Sequence, residues 1–111
     1  MPSESPILGE VLQAVRNSKY AVVKQEAKMA EPDLLLKSPD GRMVLIEIKD
    51  KASALDSVDV AEVYRMKKKT GADEALLLSN TTVSTSGSVS SEKADIRIMD
   101  TKKFKEYLQS G

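Results

Sequence analysis

Two strand-like segments joined by a tight turn constrain the fold of this chain more than any other part of its sequence. Residues 33–37 and 42–50 are rich in Val, Leu and Ile, and residues 38–41 between them read Ser-Pro-Asp-Gly. Turn residues of this kind between two β-prone runs predict a β-hairpin. With a three-residue turn, the numbers of paired residues add up to about 80, which places Asp33 opposite Glu47.

Alternation of side chains along the hairpin sorts its residues onto two faces. Glu47 and Lys49 are two residues apart and therefore share a face, which Asp33 also joins from the partner strand. The residues expected on the opposite face, as core, are Leu34, Leu36, Ile46 and Ile48. Those expected beside the charged residues are Leu35, Met43 and Leu45. Both faces of the sheet therefore need helices to cover them.

Two carboxylates directly opposite each other in a sheet repel, by roughly 4 kcal/mol at about 4 Å and an effective dielectric constant of about 20. A divalent cation reverses this effect, because Asp33, Glu47 and a nearby main-chain carbonyl offer it oxygen ligands. Lys49, on the same face, can then orient or deprotonate a nucleophilic water, or hold a phosphate oxygen. The alternative is a solvated strand face, where such a charge pair contributes less than about 1 kcal/mol.

Composition narrows the chemistry further. The 111 residues include no His and no Cys, which excludes catalytic triads with histidine, Cys/His zinc sites, thiolate-bound clusters and disulfides. Carboxylate ligands favour a hard ion, Mg²⁺ or Mn²⁺. Basic and acidic residues number 17 each, so the formal net charge is zero and any contact with nucleic acid must be local.

The rest of the chain alternates between helical and strand-like patterns. Apolar residues at helical spacing predict three helices, at 7–15, 60–64 and 104–108. Ser5-Pro6 precedes the first, Gly71 follows the second, and Thr101 is expected to cap the third. Further strand-like runs are 20–23, 75–78 and 96–99. The Ser/Thr-rich segment 79–91 is expected to form a flexible surface loop, or else a polar, poorly formed helix. Tyr64 is expected in the core.

These elements predict one α/β domain over residues 1–111, an αβββαβ(α)βα sandwich whose mixed central sheet is flanked by helices. The sequence has no leader-like N-terminus and no apolar run long enough to cross a membrane. We therefore expect a soluble, intracellular protein of the cytoplasm with no membrane partner.

The hairpin residues, in this order of elements, resemble the PD-(D/E)XK nuclease superfamily. Pro32-Asp33 and Glu47-Ile48-Lys49 match its motif, and the layout is similar to Mrr-type restriction endonuclease catalytic domains and archaeal Holliday-junction resolvases. The resemblance implies a restriction-endonuclease-like fold. It also implies that Asp33, Glu47 and the main-chain carbonyl of Ile48 bind the metal, and that Lys49 is the catalytic lysine.

The resemblance implies further properties. The family often adds a glutamate from its first helix, for which Glu10 is the candidate. The implied activity is Mg²⁺- or Mn²⁺-dependent hydrolysis of DNA, nonspecific or structure-selective like a resolvase, by a homodimer. Two alternatives remain open, namely a catalytically inactive nuclease-fold module for nucleic-acid binding or assembly, and a nuclease that acts on RNA.

Three lysines are candidate contacts to the phosphates of a nucleic acid. Lys51 falls on the face of Glu47, while Lys67 and Lys68 lie in the last turn of the second predicted helix. For Lys67 and Lys68 we favour the alternative that they interact with the negative C-terminal end of their helix.

Overall fold

A computed structural model describes residues 6–28, 31–49 and 53–110, apart from the side chains of Pro6, Ser110 and residues 25–28 and 31–33. Over these residues the predicted order of helices and strands is confirmed. The elements are α1 (Pro6–Arg16), β1 (Ala21–Lys28), β2 (Glu31–Lys37), β3 (Met43–Ile48), α2 (Ser57–Thr70), β4 (Glu74–Leu78), α3 (Thr85–Ala94), β5 (Arg97–Met99) and α4 (Thr101–Ser110).

The five strands form one mixed sheet in the order β1-β2-β3-β4-β5. The first three strands pair antiparallel, whereas β3, β4 and β5 run parallel to one another. In the β2–β3 hairpin the Cα of Asp33 lies opposite that of Glu47, so the predicted register is confirmed. The carboxyl ends of β3 and β4 meet at one edge, where Ile48 is opposite Leu78.

Hydrogen bonds within the turn hold this register. The Ser38 amide donates to the Arg42 carbonyl at 2.8 Å, and the buried Ser38 hydroxyl accepts from the Arg42 amide at 2.9 Å. The same hydroxyl donates to Asp40 and, together with the Arg42 guanidinium, holds the pKa of that carboxyl below its usual value. Gly41 adopts a φ of 92°, a left-handed conformation that favours glycine.

Both faces of the sheet bury apolar side chains. One face packs against α1 and α4, and its strand residues include Leu34, Leu36, Val44, Ile46, Ile48, Leu76 and Leu78. The other face packs against α2, and its buried residues include Leu45, Leu55, Val60, Val63, Ala75, Leu77 and Ile96. Leu35 packs at the margin of this second cluster. The predicted division of the hairpin into two faces is therefore confirmed.

The Ser/Thr-rich segment forms more regular structure than the favoured prediction of a flexible loop. Residues 85–94 are the helix α3, and the hydroxyl of Ser84 caps it by accepting from the Gly87 amide at 3.1 Å. Polar residues make this helix weak by itself, but Gly87 is buried against the backbone that leads into α2. Tertiary contact therefore stabilises α3, which its intrinsic helix propensity alone would not.

Two smaller predictions were wrong. Tyr64 is 41% exposed rather than in the core, and the ammonium of Lys68 lies 5.1 Å from the centre of its ring. The cap of α4 is Asp100 rather than Thr101, because an Asp100 carboxylate oxygen accepts from the Lys103 amide at 2.8 Å.

Within the described residues, no helix is long and apolar enough to cross a lipid bilayer.

Gly87→Ala is expected to destabilise the domain. A Cβ at residue 87 would lie 2.6 Å from the Leu55 carbonyl oxygen and 3.1 Å from the Cα of Asp56, so helix and backbone would have to separate. We expect a loss of roughly 1–3 kcal/mol in the free energy of unfolding, measured by urea denaturation. Gly9→Ala in α1 is the matched control, because nothing lies within 4 Å of its Cβ position.

In an open helical position alanine is expected to stabilise by roughly 0.5–1 kcal/mol. Equal effects of the two substitutions would show that the contact of Gly87 with Leu55 contributes nothing to the packing of α3.

Candidate active site

Glu47 and Lys49 lie at the carboxyl end of β3 and are almost completely buried. Their exposed fractions are 4% and 3%, on the face of the sheet that α2 covers. The main-chain amide of Lys49 donates to the Leu78 carbonyl at 3.0 Å, which ties the residue to the end of β4. In open α/β sheets, ligands bind where the carboxyl ends of parallel strands meet. The two charged residues therefore occupy the edge at which a binding site is expected.

The ammonium of Lys49 is held by two carboxylates from α2. Its Nζ donates to Oε2 of Glu62 at 2.8 Å and lies 3.6 Å from Oδ1 of Asp59. Asp59 is buried, whereas the Glu62 side chain is 34% exposed. A strand thus contributes the lysine and a helix contributes its acidic partners.

A capping box fixes the position of Asp59 at the start of α2. The Asp56 side chain accepts from the amides of Val58 at 3.0 Å and Asp59 at 3.3 Å, and Oδ2 of Asp59 accepts from the Asp56 amide at 2.9 Å. These bonds satisfy amides that a helix N-terminus leaves without intrahelical partners. Leu55, just before the box, donates its amide to the Thr82 carbonyl at 2.9 Å. The start of α2 is therefore held by its own capping box and by the hydrogen bond of the preceding residue, Leu55, with Thr82.

Asp33 is the residue across the hairpin from Glu47. Its Cα is opposite that of Glu47 on the neighbouring strand. Directly opposite residues of an antiparallel pair have Cβ atoms about 4.5–5.5 Å apart and side chains on the same face. The Asp33 side chain itself is outside the described residues, as is the whole of Lys51. Ile48 directs its side chain into the core of the other face.

Glu10 lies on the other side of the sheet from Glu47. It lies on α1, which packs against the face opposite that of Glu47. Its carboxylate is exposed and lies 4.0 Å from the ammonium of Lys105 on α4. A role for Glu10 in metal binding has no support in this arrangement and stays a prediction.

Lys67 and Lys68 lie in the last turn of α2, far from the start of that helix. With a rise of about 1.5 Å per residue, Lys67 is roughly 12 Å along the axis from Asp59. Lys68 contacts the ring of Tyr64. The helix ends at Gly71, whose amide donates to the Lys67 carbonyl at 3.0 Å. This position suits the favoured interpretation, an interaction of the lysines with the helix C-terminus.

The sequence contained a signal for the missed residues, Asp59 and Glu62. They are three residues apart on a helix, next to the apolar stripe of Val60 and Val63, and so point towards the sheet. The spacing of Asp56 and Asp59 also matches a capping box, with aspartate in place of the usual glutamate. Two acids beside a buried stripe, on the helix that follows Glu47 and Lys49, indicate partners for a buried lysine.

The donor set at this edge suits a hard divalent cation. Among the side chains that the structure describes, no three acids are arranged to hold a metal ion, so Glu47 would need ligands outside that set. Asp33, whose Cα is opposite that of Glu47, and the Ile48 carbonyl would supply further oxygen ligands of the kind that a hard divalent cation prefers. Among the described side chains, the carboxylates of Asp59 and Glu62 both lie within 4 Å of the Lys49 ammonium, and Glu47 is buried on the same face of the sheet.

The fold is that of a restriction-endonuclease-like α/β domain. The family model Mrr_cat, described as a restriction endonuclease, matches residues 9–108. The chain therefore belongs to the Mrr_cat restriction endonuclease family. No curated protein matches it.

A solved structure titled "Structure of EndoMS in apo form" has a similar fold, with a TM-score of 0.63 and 12% sequence identity. The similarity covers 88% of this chain and 47% of the EndoMS chain. The chain thus spans about half the length of that protein.

Asp59→Ala is expected to lower stability more than Asp56→Ala does. The first substitution removes a capping partner and also one of the two carboxylates at the buried Lys49, with an expected loss of roughly 2–4 kcal/mol. The second removes capping bonds and leaves both partners of Lys49 in place, with an expected loss of about 1 kcal/mol. Urea denaturation at neutral pH measures both. Equal losses would show that the pair of Lys49 and Asp59 adds no stability.

Proposed function

We propose that the chain is the catalytic domain of a metal-dependent endonuclease that hydrolyses phosphodiester bonds in DNA. The observation that carries this proposal is the pair of Glu47 and Lys49, buried on one face at the carboxyl end of β3 with Asp33 at the register position across from Glu47. Membership of a restriction endonuclease family supports the same reaction.

In this proposal Asp33, Glu47 and the Ile48 carbonyl hold Mg²⁺ or Mn²⁺. The bound ion supplies Lewis-acid chemistry at the phosphate and favours ionisation of water. Lys49 directs its ammonium at the attacking water or at a non-bridging phosphate oxygen, where negative charge develops during attack. Water adds to phosphorus, the bond to one sugar oxygen breaks, and that oxygen leaves with a proton.

For the substrate we propose DNA cut without base-specific reading, either nonspecifically or at branched structures. With a formal net charge of zero the chain has no overall positive field to attract DNA, so any contact must be local, which favours recognition of local structure. For the assembly we propose a homodimer, because the described part of the chain presents one site of this kind and cutting both strands takes two.

A second candidate function is that of an inactive nuclease-fold module for nucleic-acid binding or assembly. The observation that favours it is the enclosure of Lys49, whose ammonium is 2.8 Å from Glu62 and whose exposed fraction is only 3%. In such a module these ion pairs would be structural. Metal binding and cleavage separate the two functions.

Cleavage is expected to require metal together with Asp33, Glu47 and Lys49. Supercoiled plasmid, single-stranded DNA and a four-way junction are incubated with Mg²⁺, Mn²⁺ or chelator, and products are resolved on gels. Asp33→Asn, Glu47→Gln and Lys49→Met should each lower the cleavage rate by roughly 100-fold or more, the effect of removing a group that stabilises the transition state. Glu106→Gln, an exposed acid on α4, is the control and should cleave normally.

If DNA cleavage persists in chelator, or in all three site variants, this site is not the source of the cleavage activity. No cutting of any substrate by the wild-type protein would favour the inactive module.

Binding of Mn²⁺ is expected to depend on the same carboxylates. Isothermal titration should show one site per chain in the wild-type protein, weakened by at least about 10-fold in Glu47→Gln and in Asp33→Asn. Lys49→Met removes a positive charge and leaves the ligands, so its affinity should be unchanged or higher. Equal binding by wild-type protein and Glu47→Gln would place the ion elsewhere.

A further inference from the structure

We propose that Glu62 is a positioning residue for Lys49, with Asp59 as the fixed anchor of the same ion pair. This inference rests on the proposed endonuclease function and adds residues of α2 to it. The geometry that motivates it is the 2.8 Å contact between Oε2 of Glu62 and Nζ of Lys49, in a place where the lysine is almost completely buried.

The two acids differ in how firmly they are held. Asp59 is buried, its Oδ2 accepts from the Asp56 amide at 2.9 Å, and its Oδ1 is 3.6 Å from the ammonium. That separation allows an ion pair but is too long for a hydrogen bond. Glu62 makes the shorter, charge-assisted contact from a side chain that is 34% exposed. Asp59 therefore neutralises the lysine, and Glu62 sets the direction of its ammonium.

Lysine needs such a partner because its side chain is flexible. The long lysine side chain has many accessible rotamers, and its ammonium has no plane that fixes its direction. A group that must meet a phosphate oxygen acts best when it already lies close to the productive geometry. The capping box fixes the start of α2, and Glu62 lies one turn beyond it, so the helix can hold the lysine in one position.

Electrostatics alone predicts the opposite effect for Glu62. A partly exposed carboxylate such as that of Glu62 repels a phosphate bound close to it, so removal of this charge should tighten DNA binding and, if nothing else changed, raise the cleavage rate. A positioning role predicts that the same removal slows the chemical step. The sign of the change in rate therefore distinguishes positioning from simple charge repulsion.

The test compares Glu62→Gln and Glu62→Ala with the wild-type protein, with Glu106→Gln as the control on the far face. Single-turnover cleavage at saturating DNA and Mg²⁺ measures the chemical step, and DNA affinity is measured in Ca²⁺. We expect Glu62→Ala to lower the rate by about 10- to 100-fold, with DNA affinity unchanged or higher. Glu62→Gln keeps an oxygen that accepts from Lys49, so its rate should lie between those of wild type and Glu62→Ala.

A second readout follows the lysine directly. In ¹⁵N-detected NMR of lysine ammonium groups, the Lys49 signal, assigned by its loss in Lys49→Met, should shift and exchange faster with water in Glu62→Ala. Urea denaturation of each variant shows whether it is folded.

The outcomes separate this inference from the function on which it rests. If the wild-type protein cleaves DNA and Glu62→Ala cleaves at least half as fast, the positioning role is overturned and the endonuclease function stands. If the wild-type protein cleaves none of the substrates, the endonuclease function is overturned, and the role of Glu62 with it.

Discussion

A shift of one residue in the β2–β3 register would turn every side chain of one strand to the wrong face of the sheet. This hairpin is covered by helices on both sides, so such a shift would exchange residues between two separate cores. Hydrogen bonds of Ser38 with Arg42 and the left-handed conformation of Gly41 close the turn in one register. The same register brings Asp33 opposite Glu47, so the candidate site depends on the turn as much as on its own residues.

Burial of charge is the second constraint on this domain. Glu47, Lys49 and Asp59 are each less than 5% exposed, and removing charged groups from water is costly unless other groups compensate. Asp59 is compensated by the capping box and Lys49 by the two acids of α2. Site and fold are therefore coupled through the start of α2. Removing one partner of such a buried pair would leave an uncompensated charge, so the stability of the domain depends on the charged residues of the site.

The hairpin, its register and the two faces of its strands were predictable because they depend on local rules. Turn chemistry and the alternation of side chains act over a few residues and do not depend on the rest of the chain. Predictions for Tyr64, for the cap of α4 and for α3 were less successful, because in each case local sequence rules allow more than one outcome. A residue at the edge of an apolar stripe can face either way, two adjacent polar residues can both serve as a cap, and a Ser-rich segment becomes helical only where something packs against it.

By itself, the sequence determined the hairpin pair of Asp33 and Glu47, the shared face of Glu47 and Lys49, the order of elements and the lack of any histidine or cysteine chemistry. Only the tertiary structure decided which groups Lys49 contacts, because Asp59 and Glu62 are ten or more residues away and reach it through the packing of α2 on the sheet. It also decided that α1, which carries Glu10, packs on the other face of the sheet. Local rules set the direction of a side chain, but contacts between distant residues depend on how helices pack on the sheet.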